Sequence, residues 1–258
     1  MKIQRPRLPV IDRGTVVDEV SAIVKIPRGF RAGHTSAVVL AHGAGGGFDD
    51  PLLTYVQSYL VGRGFLTLGF NFPYREKGRK TPDREPLLEA TVRSAVDFLR
   101  NHETLKPGRL LMGGRSMGGR MASHLVAGNP HMAMGLILLA YPLHAPGRPD
   151  RVRDKHLPSI AAPTLFVSGT RDALAPLPQL QAAVKKVRRS ALSTIDDADH
   201  SFKILKRSGR TQEDVWFEVA DQVANWAEVL VGDVGEPQAP LTPASVERLP
   251  GTARTTPK

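Results

Sequence analysis

The chain of 258 residues contains no cysteine. That absence removes disulfides, thiolate zinc sites and a cysteine nucleophile together. Aromatic residues are scarce at 6%, which leaves little surface for stacking bases. No helix-turn-helix or zinc-ligand spacing is present either, so nucleic acid is not an expected partner. Long apolar runs are missing too. The longest, residues 132–141, is too short to span a bilayer. The opening MKIQRPRLPVID lacks the apolar stretch of a secretory signal. A soluble, cytoplasmic protein with no membrane partner is expected. Acidic residues fall short of basic ones, 25 against 35, leaving a net charge of +10.

What is present reads as one globular domain. Short runs of Val, Ile, Leu and Phe recur at 17–26, 36–41, 65–71, 109–112, 134–141, 164–168 and 191–195. Most lack polar alternation, as strands covered on both faces should, and the longer segments between them carry helical spacing. The fold class is therefore α/β, with a mostly parallel central sheet and helices on both faces. In the segment 85–101, Leu88, Val92, Ala95 and Leu99 form one apolar stripe, with Pro86 in the first turn. In 212–230, Val215, Val219, Val223, Trp226 and Leu230 repeat it and close a domain spanning 1–230. Residues 231–258 hold five prolines and few large apolar groups, the composition of a disordered tail.

Gly114-Arg115-Ser116-Met117-Gly118 is a G-x-S-x-G between an apolar strand and a helical stretch. A serine that attacks carbon must stand on a tight strand-to-helix turn, and small residues two before and two after let strand and helix approach. Read blandly, the same residues are a glycine-rich turn capping a helix. Acyl transfer also needs donors aimed at the oxygen that becomes negative. The Met117 amide is one. The second should come from His42-Gly43-Ala44-Gly45-Gly46-Gly47, which follows an earlier strand, with Ala44 favoured and Gly45 next. A phosphate cradle is the competing reading of that loop, yet neither G-x-G-x-x-G opening a helix nor a G-K-[ST] ending is present.

Serine needs a histidine to take its proton, and that histidine needs a carboxylate to hold its tautomer. Asp172 follows the run 164–168 and His200 follows the run 191–195, giving the chain order Ser, Asp, His. Asp196, Asp197 and Asp199 lie nearer His200 in sequence but read as turn residues. Of the other seven histidines, His42 is expected to buttress the glycine loop and His144 to lie at the site mouth as a substrate contact.

GGRSMGG, AHGAGGGFDDPLL, FNFPYREKGRKTPDR, PTLFVSGTRD and DDADHSF together resemble the α/β-hydrolase superfamily across about residues 15–230. They look most like its small branch grouped with the testis-expressed and KANSL-type hydrolase-like proteins, near the dienelactone hydrolases. The resemblance implies the α/β-hydrolase fold and a serine-dependent hydrolase, with Ser116, Asp172 and His200 at the triad positions. Dienelactone hydrolases use a cysteine nucleophile, which this chain lacks, so their substrate does not carry over.

Three segments beside the expected site, 75–84, 148–155 and 203–210, sum to +9. This predicts a basic rim, with Arg75 and Arg148 as substrate contacts for anionic acyl groups. The connection 141–158 is brief and broken by Pro142, Pro146, Pro149 and Pro158, so no large cap domain is expected. The combined expectation is a carboxylesterase-like serine hydrolase, monomeric or homodimeric. It would act on small ester or thioester substrates, with no cofactor and no metal. A catalytically silent scaffold, and a peptidase or acyltransferase using the same triad, are the alternatives.

Overall fold

A computed structural model of the chain describes residues 1–232. In chain order the elements are β1 (Lys2–Gln4), β2 (Arg7–Asp12), β3 (Thr15–Ile26), β4 (Ala37–Ala41), α1 (Pro51–Gly62), β5 (Leu66–Phe70), α2 (Pro73–Glu76) and α3 (Glu85–Arg100). There follow β6 (Leu110–Arg115), α4 (Met117–Gly128), β7 (Gly135–Leu139), β8 (Thr164–Gly169), α5 (Leu177–Val184), β9 (Ser190–Ile195) and α6 (Gln212–Val231). Past Gly232 the expected proline-rich tail lies outside the described residues.

The sheet runs β1-β3-β5-β4-β6-β7-β8-β9, with β2 paired to β3. From β5 to β9 every pairing is parallel, and β3 joins β1, β2 and β5 antiparallel. The inner parallel strands β4–β8 are buried almost throughout because both faces are covered, whereas the edge strand β9, SALSTI, is half-exposed. In β4, Ala37, Val39 and Ala41 face the layer containing α3 and α4, whereas Val38 and Leu40 face α1 and α6. The stripes read from the sequence on α3 and α6 are buried or packed on these cores. A Thr211–Asp214 capping box opens α6, satisfying amides that have no partner inside the helix.

Strand order reverses at β4, which sits between β5 and β6. Chain leaving the carboxyl ends of β4 and β6 therefore turns to opposite faces and opens a crevice there. Between β7 and β8 the only helix is a single turn at Leu157–Ser159, so no cap domain stands over that edge. Among the described residues no helix is long and apolar enough to cross a membrane.

One buried charge opposes this packing. Lys25 on β3 is fully buried, and its ammonium donates to Ser58 Oγ at 2.8 Å and Thr54 O at 3.1 Å on α1, with no carboxylate partner among the described residues. Burial pushes it down to about 8 from an ordinary 10.5. Folding below pH 8 thus desolvates a charge that the unfolded chain leaves in water, a cost that fades as pH rises from 8 to 10.5. Ser58 Oγ keeps its bond to Thr54 O at 2.9 Å without the lysine. Lys25→Met is expected to raise stability at pH 7 by about 1–3 kcal/mol. Urea unfolding should show that gain shrinking at pH 10. A variant no more stable than wild type, or a gap indifferent to pH, would contradict this account.

Candidate active site

Ser116 occupies the single residue between β6 and α4, with φ 49° and ψ −116°. A non-glycine residue reaches that region only when packing holds it there. Its amide donates to Leu139 O at 2.8 Å. Gly114 pairs with Ala41 across β6 and β4, and a Cβ on Gly114 or Gly118 would run into the Ala41 carbonyl. Hydrogen side chains at those two positions therefore let the turn press against β4.

His200 stands in the loop after β9. Asp199 shapes that loop: its Oδ1 accepts the Ser201 amide at 2.7 Å and the Lys203 amide at 2.9 Å. Phe202, at φ 54° and fully buried, anchors the turn. Asp172 follows β8 and is itself buried, with Oδ1 accepting the Leu174 amide at 2.8 Å. These loops meet. His200 Nδ1 lies 2.8 Å from Asp172 Oδ2 and 3.0 Å from Oδ1, and His200 Nε2 lies 2.8 Å from Ser116 Oγ. A carboxylate can only accept, so Nδ1 carries the ring hydrogen and Nε2 offers its lone pair to the serine hydroxyl.

The glycine loop after β4 is held from behind by His42. The ring accepts the Phe72 amide at Nε2, 3.2 Å away, and so donates from Nδ1 to Gly43 O at 2.7 Å. Gly46 N–H reaches the same carbonyl at 3.0 Å. With the Gly43 carbonyl turned that way, the Ala44 N–H of the same planar peptide points to the opposite side. Tyr74 Oη donates to Ala44 O at 2.7 Å and pins the next peptide, which carries the Gly45 amide. Met117 opens α4, so its amide has no intrahelical acceptor. The expected buttress at His42 is thus present. Tyr74 carried no signal beyond an aromatic after Pro73.

A cavity of 690 Å³ covers Ser116, with Ala44, Gly45, Met117, His144 and His200 in its wall. His144 is buried, and its Nδ1 lies 3.0 Å from Ala145 O. Arg75 and Arg148 do not line this cavity. Arg75 is exposed on α2, with its Nε beside Gly47 of the glycine loop, and Arg148 is exposed in the turn closed on Ala145 O. The guanidiniums in the wall belong to Arg115, Arg120 and Arg153. Of the three basic segments, only Pro82, Asp83 and Arg153 reach the cavity, and the rest of their charge lies outside it. Arg115 lies 2.7 Å from Asp50, whose other oxygen caps α1 through the Leu53 amide at 3.1 Å, tying the serine turn to the glycine loop.

At the cavity wall, Glu85 on α3 meets Glu89 on α3 and His124 on α4, with ligating atoms within 4.8 Å of one another. Their atoms already partner each other, with His124 Nδ1 2.9 Å from Glu89 and 3.0 Å from Glu85. His156 packs on His124 at 4.3 Å between ring centroids and faces Ser123 Oγ at 2.8 Å.

Residues 34–228 match a family described as alpha/beta hydrolase domain. Among solved structures, a dienelactone hydrolase from Anabaena variabilis is 23% identical at a TM-score of 0.67, covering 88% of this chain and 97% of its own. Est1E from Butyrivibrio proteoclasticus, with ferulic acid bound, is 17% identical at 0.69, covering 88% and 100%. A serine hydrolase of the α/β class without a lid, from Xanthomonas campestris, is 18% identical at 0.64, covering 87% and 95%. At these identities the likeness is one of fold.

Burial pushes His42 and His156 each down to about 4 from an ordinary 6.5. Between those values the unfolded chain binds protons that the folded chain refuses, so stability falls as pH drops from 6.5 toward 4. NMR of the ring nitrogens should find His42 neutral, with hydrogen on Nδ1, at pH 5.5. An imidazolium at that position would mean the glycine loop is not pinned in this manner.

Proposed function

The chain belongs to the alpha/beta hydrolase family, and on that premise we propose that it is a serine hydrolase cleaving small ester or thioester substrates through an acyl-enzyme. The observation that supports this reading most is the unbroken relay from Asp172 through His200 to Ser116, opening into one cavity. Within the family, the motifs quoted from the sequence favour the branch of testis-expressed and KANSL-type hydrolase-like proteins.

In the proposed first step Ser116 Oγ bonds to the acyl carbon while its proton passes to His200 Nε2. The carbonyl electron pair moves onto oxygen, where the Met117 and Ala44 amides, with Gly45 beside them, oppose the developing charge. Collapse of that intermediate breaks the bond to the leaving alcohol or thiol, which departs with the proton from His200. Water then repeats the sequence in reverse roles, giving up a proton to His200, releasing the acid and restoring the serine hydroxyl. Asp172 holds the ring in the tautomer that each transfer needs and stabilises the imidazolium between them.

The position of the nucleophile relative to these groups depends on the turn at Ser116, whose φ of 49° sets where Oγ stands. The open edge between β7 and β8 suits compact substrates that enter from solvent rather than chains threaded under a lid.

A fluorophosphonate probe should label wild type and leave Ser116→Ala unlabelled. Folded wild-type protein that resists the probe would overturn the reading. On a chromogenic acetate ester, His200→Ala and Asp172→Asn are each expected to lower kcat by about 10³-fold or more. A twofold loss would exclude the residue from the relay.

A further inference from the structure

The cavity wall carries three guanidiniums and three carboxylates, and their pairing leaves one cation over. Arg115 is matched by Asp50 at 2.7 Å and Arg120 by Glu85 at 2.9 Å. Asp83 is matched by Arg79, which lies outside the cavity. Arg153 has no such partner: among the described residues nothing accepts a hydrogen bond from its guanidinium. The buried Nε of Arg120 also lacks an acceptor.

Arg153 is nevertheless held in place. Its amide donates to Leu143 O at 2.6 Å and its carbonyl accepts Tyr141 Oη at 2.7 Å. Tyr141 is itself buried, with its ring against Phe166. Both main-chain groups of the residue are thus tied to the core, whereas the exposed Arg148 and Arg151 on the same loop bond within their own turn. Half-burial strips water from the guanidinium and neighbouring Arg120 repels it, and together these outweigh the attraction of Glu85 and Tyr141 and lower its affinity for a proton. A half-buried cation on an anchored backbone, with no hydrogen-bonding carboxylate of its own, gains most from an anion that supplies two parallel acceptors, and a carboxylate has that shape.

We propose that Arg153 forms a carboxylate subsite of the Ser116 cavity, so that the preferred substrates are esters or thioesters bearing a free carboxylate, such as half-esters of dicarboxylic acids. The inference rests on the hydrolase reading for its turnover but not for its binding. It narrows the broad basic rim expected from the sequence to one residue.

The test compares the 4-nitrophenyl half-ester of glutaric acid with the uncharged 4-nitrophenyl pentanoate. Wild type should favour the anionic ester in kcat/KM, and Arg153→Gln should lower that preference by about 10- to 100-fold. Arg153→Lys should recover part of it. Arg151→Gln, which removes the same charge from an exposed position, should leave the preference unaltered. Calorimetric titration of glutarate into Ser116→Ala supplies a readout without turnover, and binding should be lost when Arg153→Gln is added. Hydrolysis of both esters with no dependence on Arg153 overturns the subsite and leaves the hydrolase intact. Glutarate bound through Arg153 with neither ester cleaved supports the subsite and overturns the hydrolase. Neither binding nor cleavage overturns both.

Discussion

The contact between the Ala41 carbonyl and the turn at Gly114 and Gly118 is the constraint from which the site follows. Because β4 and β6 are paired there and α4 begins immediately afterwards, the one residue left to make the turn takes a positive φ. That conformation costs on the order of 1–3 kcal/mol, offset by the cores that clamp strand and helix together. The strain stands Ser116 Oγ clear of its own backbone, at the sheet edge where the loops after β8 and β9 arrive. A methyl group at Gly114 or Gly118 would collide with the Ala41 carbonyl and force strand and helix apart.

Around that turn the molecule keeps its histidines in two different conditions. His42 is buried and His156 half-buried, both pushed toward the neutral form by burial and with ring nitrogens engaged by neighbours, so they serve as struts. His200 faces the cavity, partly in solvent, with a buried carboxylate behind it. The proposed reaction, in which this imidazole gains and loses a proton, needs that mixture: a carboxylate on one side and an open lone pair on the other. The carboxylates divide in the same way. Asp172 serves the ring, while Asp199, one residue from it in sequence, is spent on the amides that bend the loop.

Charge at the mouth is governed by pairing rather than by number. The segments 75–84, 148–155 and 203–210 are strongly basic, yet Lys77, Arg79 and Arg210 close on Asp18, Asp83 and Glu218. Within the wall, Asp50 and Glu85 cancel Arg115 and Arg120. A composition count cannot see these cancellations, because they depend on which side chains fold toward one another.

The parallel strands, the stripes of α3 and α6 and the order Ser116, Asp172, His200 were legible in the sequence, since each is a local pattern: an apolar run, a spacing, a residue placed just after a strand. Less visible was α1, buried nearly all round and so lacking a one-sided stripe, and likewise β1 and β2, whose short lengths, proline and charges mask their pairing with β3. Arg75 and Arg148 were named on charge and lie outside the cavity lining, whereas Arg153, Tyr74 and Asp50 acquired their places only from contacts across the fold. Local sequence determines what a segment becomes and which side chains it presents, because backbone sterics and burial periodicity act over a few residues. Which of those side chains share a cavity, and which charges survive there unmatched, is decided by packing between segments distant along the chain, and that only the tertiary structure expresses.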